Sequence, residues 1–201
     1  QISKSKLKND RIIFPILCLV VSGGHTQLIL MEEHLKYKII GQTLDDAAGE
    51  AFDKVARILG LGYPGGPIIS SIAEKFKVKN SQLKTGRPRV EKFKVKLPRP
   101  MINSNNFNFS FSGLKTAVLY EVKKNKRLAD NRRFISIVCR EFQQAVVDVL
   151  ISKTIAAARK LKPNTIMIAG GVSANKALRY QLKKAIKSHF STMGYVEPPV
   201  K

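Results

Sequence analysis

The segment Val20-Val21-Ser22-Gly23-Gly24-His25-Thr26-Gln27-Leu28 constrains the fold more than any other stretch, because it joins an apolar run to an alternating run through two adjacent glycines. Paired glycines between strand-like segments predict a two-residue turn whose residues take positive φ. Backbone N–H groups in such a turn, with the Ser22 and Thr26 hydroxyls beside them, form a concavity that suits an anion. Read alone, the segment fits an ordinary surface hairpin equally well.

Hydrophobic periodicity extends this start into a series of elements. Residues 12–21 and 26–31 read as neighbouring strands, with a third over 37–41. Thr43 is placed to cap a helix with Asp45 and Asp46 in its first turn, and Ala48, Phe52, Val55, Ala56 and Leu59 supply its apolar stripe. Gly60, Gly62 and Tyr63-Pro64-Gly65-Gly66-Pro67 are expected to end that helix in a loop holding positive φ. Residues 75–100 are basic and weakly periodic, which predicts an inserted loop or subdomain. Strict alternation of Phe107, Phe109 and Phe111 predicts a half-buried strand over 106–112, after which Ser112 caps a helix. A long amphipathic helix follows over 132–161, broken at Pro163-Asn164. Thr165 to Ala169 reads as a short apolar strand entering Gly170-Gly171, with a helix over 173–187. Strand, Gly-Gly, helix is the geometry that sets a helix N-terminus against a ligand. The pattern as a whole is mixed α/β.

With 44% hydrophobic residues in 201, the chain can bury a core in one domain or two small lobes. The apolar run over 12–21 is about half the length of a membrane span and contains Pro15. No transmembrane segment is expected. Cys18 and Cys139 fall on apolar faces and read as reduced core thiols, which favours the cytoplasm. A net charge of +22 predicts attraction to a polyanion. Between Val149 and Val196 there is no acidic residue, while Lys153, Arg159, Lys160, Lys162, Lys176, Arg179, Lys183, Lys184 and Lys187 are all basic.

Asp46, Glu50, Asp53 and Arg57 share the helix face opposite the apolar stripe. Such a face is ordinarily solvated, but an aspartate on it can accept hydrogen bonds from the two hydroxyls of a ribose. Asn175 offers a donor and an acceptor to an adenine or ribose edge, or satisfies its own helix start. Ser22 and His25 lack an orienting acid and a nucleophile elbow. His25, His34 and His189 show no metal-ligand spacing.

Four segments in the order 20–28 (VVSGGHTQL), 41–67 (GQTLDDAAGEAFDKVARILGLGYPGGP), 109–118 (FSFSGLKTAV) and 169–179 (AGGVSANKALR) resemble the TsaD family of tRNA threonylcarbamoyladenosine synthesis proteins, historically named O-sialoglycoprotein endopeptidases. The resemblance runs from about Ile16 to Pro199. It implies one lobe of an actin-like (ASKHA, ribonuclease H-like) ATPase fold, with residues 1–201 forming part of a TsaD-like domain. It also implies transfer of a threonylcarbamoyl group from threonylcarbamoyl-AMP to N6 of adenosine 37 in tRNAs that read codons beginning with adenine.

The substrate residues carried over by motif are Val20, Val21, Ser22, Gly23 and Gly24 on the phosphate side, Asp53, Gly66 of Pro-Gly-Gly-Pro, and Asn175 of Gly-Gly-Val-x-Ala-Asn. The family's iron or zinc is held by a His-x-x-x-His pair and a C-terminal aspartate that this sequence does not show. The chain therefore reads as a piece of a longer protein and is expected to be inactive by itself. The implied partners are a dimerising paralogue and a small ATPase. The readings that compete with the transferase are an inactive RNA-binding or scaffold subunit and a metalloendopeptidase, and the latter has no His pair or credible triad to support it.

Overall fold

A computed structural model describes residues 12–82 and 95–199. Among these residues five strands form one mixed sheet: β1 (Ile16–Val21), β2 (Thr26–Glu33), β3 (Lys36–Gln42), β4 (Thr165–Ala169) and β5 (Gly194–Val196). Their spatial order is β3-β2-β1-β4-β5. β1 to β3 form an antiparallel meander in which Leu19 faces Leu28 and Ile29 faces Ile39, while β1, β4 and β5 are parallel, with Leu19 opposite Ile168. Among the described residues five α-helices pack with the sheet: α1 (Ala48–Ile58), α2 (Gly65–Gln82), α3 (Ser112–Lys124), α4 (Arg132–Leu161) and α5 (Lys176–His189). A meander leading into parallel strands through helical crossovers is one lobe of the actin-like, ribonuclease H-like ATPase fold.

Side chains alternate across a strand, so Leu17, Leu19 and Val21 of β1 and Leu28 of β2 lie on one sheet face. They join Phe52, Phe109, Phe111, Phe142 and Leu150 in a single buried cluster. Phe52 meets Phe142 edge to face at 5.0 Å, which fixes α1 against α4.

Several expectations are corrected. The first strand begins at Ile16 rather than at residue 12, and β5 carries no sequence signal strong enough to predict it. Residues 22–25 form a four-residue connection in which Ser22 N–H donates to the His25 carbonyl at 2.8 Å, and neither Gly23 nor Gly24 takes a left-handed φ. Thr43 does not cap α1: its hydroxyl donates to the Asp46 carbonyl, and the helix starts at Ala48, whose N–H is accepted by the buried Thr26 Oγ1 at 2.9 Å. The Pro-Gly-Gly-Pro run opens α2 rather than lying wholly in a loop, although Gly60 and Gly62 do hold positive φ. Helix α2 continues through residue 82, so the first part of the basic stretch is helical, and 83–94 lies outside the described residues.

No strand forms over 106–112; Phe109 makes one isolated bridge to Thr43. Ser112 is the first residue of α3 instead of its cap, and residues 171–174 form a short 3-10 turn before α5.

The phenylalanine segment is held from two sides. Asp45 accepts the Phe111 N–H at 2.8 Å, the Ser112 N–H at 3.2 Å and the Ser112 hydroxyl at 2.7 Å. Lys153, buried in the middle of α4, donates to the Ser104 hydroxyl and carbonyl and to the Asn106 carbonyl at 2.6, 3.1 and 2.7 Å. Burial among these neutral oxygens pushes its ammonium below the usual lysine value.

Candidate functional site

A cleft of about 1480 Å³ opens among the β1–β2 connection, α1, the N-termini of α2 and α5, and one side of α4. Four residues singled out from the sequence line it together: Gly23, Asp53, Gly66 and Asn175. Val20, Val21, Ser22 and Gly24 do not line it, and Val21 is fully buried in the core. The hairpin therefore reaches the cleft through Gly23.

Close backbone packing brings these segments together. A Cβ on Gly49 would lie 2.6 Å from the Ser22 carbonyl oxygen and 2.8 Å from Gly23 Cα, so only glycine lets α1 approach the hairpin this closely. The Gly49 N–H donates to that same carbonyl at 3.0 Å. Within the turn, Ser22 Oγ accepts the Gly24 and His25 N–H groups at 3.3 and 3.0 Å. The Thr26 hydroxyl, expected beside the anion concavity, caps α1 instead.

Asp53 has a structural task that the sequence did not show: its Oδ1 accepts the Gly65 N–H at 2.7 Å and anchors the start of α2. Of its face, Asp46 and Glu50 are tied up by Lys54 at 2.6 and 3.0 Å, and only Asp53 reaches the cleft. Hydrogen bonds from Lys54 hold the Glu50 carboxyl below the usual carboxylate range.

Asn175 is the N-cap of α5, where Oδ1 accepts the Leu178 N–H at 3.0 Å. Its amide donates to Ser70 Oγ and Gln143 Oε1, both at 2.9 Å, and so ties α5 to α2 and α4. The local reading therefore holds for this residue, which also lines the cleft.

Two helix N-termini make the cleft electropositive on one side. Helices α2 and α5 both present their N-terminal residues to it, Gly66 and Pro67 from one and Lys176 and Ala177 from the other. The positive ends of two helix dipoles favour negative charge there. Arg140, Gln143, Gln144 and Gln181 give no signal in the sequence, because they carry no local motif and reach the cleft only through the crossing of α4 and α5.

Comparison with known proteins decides the family. The TsaD family model, described as tRNA N6-adenosine threonylcarbamoyltransferase, matches residues 2–200. The chain belongs to this family. It is similar to the tRNA N6-adenosine threonylcarbamoyltransferase of Thermotoga neapolitana, 49% identical over 181 residues that make up 90% of this chain and 50% of that protein. The Persephonella marina protein of the same name is 48% identical over 183 residues, 90% of this chain and 47% of its own length. That of Buchnera aphidicola is 48% identical over 183 residues, with shares of 91% and 49%. The chain spans about half the length of the curated relatives it matches.

TsaD proteins are metal-dependent enzymes. Among the described residues no three His, Cys, Asp or Glu side chains converge to hold a metal ion, so these residues do not fit that group. Among them, too, no helix is long and apolar enough to cross a membrane.

Proposed function

We propose that this chain carries the acyl-adenylate site of a tRNA N6-adenosine threonylcarbamoyltransferase. The substrate is threonylcarbamoyl-AMP and the acceptor is N6 of adenosine 37 in tRNAs reading codons that begin with adenine. The observation that carries the proposal is the meeting of Gly23, Asp53, Gly66 and Asn175, from four distant segments, in one cleft of a TsaD-family chain.

The residues divide the nucleotide among them. Gly23 of the β1–β2 connection and the α2 N-terminus at Gly66 face the phosphate, where backbone N–H groups and the helix dipole favour an anion. Asp53 takes the ribose with the carboxylate oxygen that does not serve Gly65, and Asn175 borders the adenine side. In the transfer, the acceptor N6 forms a bond to the carbamoyl carbon, the bond from that carbon to the phosphate oxygen breaks, AMP departs with the electron pair and N6 gives up a proton. No ligands for an iron or zinc ion are assigned among the described residues.

The strongly basic chain supports tRNA as the polyanionic partner. A dimerising paralogue and a small ATPase complete the proposed assembly, which acts in the cytoplasm. Calorimetric titration with a non-hydrolysable threonylcarbamoyl-adenylate analogue, with AMP and with threonine tests the site. Binding of the analogue and of AMP, without threonine alone, is expected; a folded chain that takes up neither nucleotide contradicts the assignment.

A further inference from the structure

The cleft does not end at the nucleotide residues. Lys176, Tyr180, Lys184 and Ser188 recur every fourth residue of α5, and all four line the same cleft. Residues four apart on a helix form a ridge inclined to its axis, which here rises about 18 Å leading away from Asn175. Tyr180 is 67% exposed, and of the large exposed apolar side chains among the described residues it is the one that lines the cleft.

The charges around the ring are asymmetric. Helix α5 contains no Asp or Glu, and Lys183 and Lys187 add to the exposed cations beside the ridge. On the facing walls Glu74 lies 3.6 Å from Lys176, and Asp148 is paired with Arg99 at 2.9 Å. Among the described residues no carboxylate pairs with Lys184 or with Arg140 across the cleft.

From this arrangement we infer that the α5 ridge is a track for an unpaired RNA strand, with a base stacked on Tyr180 and flanking phosphates neutralised by Lys184 and its neighbours. An exposed ring between cations, on the wall of a nucleotide cleft, is the combination that single-stranded nucleic acid uses: the ring stacks a base and the cations follow the backbone. A duplex hides its base faces, and an acidic peptide offers no flat ring. The inference rests on the proposed tRNA reading and adds to it how the acceptor strand reaches the site.

The test is fluorescence anisotropy of the whole chain with a labelled 12-nucleotide single-stranded RNA, an RNA duplex of equal length, unmodified tRNA and polyglutamate. Tyr180→Ala is expected to weaken single-strand binding about 5- to 100-fold while leaving the duplex unchanged. Tyr180→Phe restores the ring and the affinity. Lys184→Gln reduces the slope of log affinity against log salt by about 1. Single-strand affinity equal in wild type and Tyr180→Ala, with tRNA still bound, overturns the ridge and leaves the tRNA reading standing. So does polyglutamate binding that Tyr180→Ala weakens as much as RNA binding. A wild-type chain that binds no RNA of any form overturns both.

Discussion

The Asp53 carboxylate accepts the Gly65 N–H at 2.7 Å, joining the middle of α1 to the first residue of α2 at the floor of the cleft. The carboxylate that borders the ligand thus also holds the helix that borders the ligand. Asp53→Ala removes both functions and leaves a backbone donor without its acceptor, a loss of about 1 to 3 kcal/mol in stability. Asp53→Asn keeps an acceptor for Gly65 and removes the charge. Thermal melts are expected to separate the two variants, with Asp53→Asn close to wild type, whereas nucleotide titration shows weakened binding in both. An Asp53→Ala melt identical to wild type contradicts the structural half of this account.

Gly65 and Gly49 are fixed by what surrounds them. A Cβ on Gly65 would sit 2.5 Å from the Phe52 carbonyl oxygen and 2.8 Å from Asp53 Cα, so Gly65→Ala forces two helix backbones apart. The expected cost is about 1 to 3 kcal/mol, as for other overpacked sites, and Gly49→Ala behaves alike. Gly66→Ala, one residue along, has nothing within 4 Å and is expected to melt with wild type. Denaturant midpoints for the three variants check this ranking.

Asp45 makes the phenylalanine segment sensitive to acid. Burial alone raises its carboxyl, but hydrogen bonds from Ser110, Phe111 and Ser112 outweigh that effect and hold it below its usual 3.8. A carboxyl depressed in the folded state stabilises the fold above its unfolded value, and that stability is lost as pH falls through the folded value. Wild type is therefore expected to lose stability below about pH 4 that Asp45→Asn does not lose, and the two stability curves converge in stronger acid. Denaturant titrations from pH 7 to pH 2 measure it; parallel curves contradict it.

Periodicity revealed the elements that carry their own signal. Helix α4 and strand β4 fall on the residues that the sequence indicates, because a thirty-residue amphipathic stripe and a five-residue apolar run leave no alternative. The failures lie where a distant group replaces a local one. Thr43 has the chemistry of a helix cap, but Thr26 from the neighbouring strand provides it. The alternating phenylalanines at 107, 109 and 111 read as a strand, yet Asp45 takes the Phe111 and Ser112 N–H groups instead of a neighbouring strand. At the site, motif resemblance brought Gly23, Asp53, Gly66 and Asn175 to one place. It could not show that Asp53 and Asn175 also hold helices, since their partners Gly65, Ser70 and Gln143 become neighbours only in the folded chain.

If the β1–β2 connection receives an acyl-adenylate through Gly23, a side chain at that position must exclude the nucleotide. A Cβ at Gly23 meets nothing within 4 Å and its backbone is not left-handed, so Gly23→Val is expected to fold with stability within about 0.5 kcal/mol of wild type. The added branches occupy the space into which the nucleotide must come. Calorimetric titration of both proteins with the threonylcarbamoyl-adenylate analogue is expected to show binding by wild type and at least a roughly tenfold loss in Gly23→Val, about 1.4 kcal/mol. Equal affinity in the two folded proteins contradicts the claim.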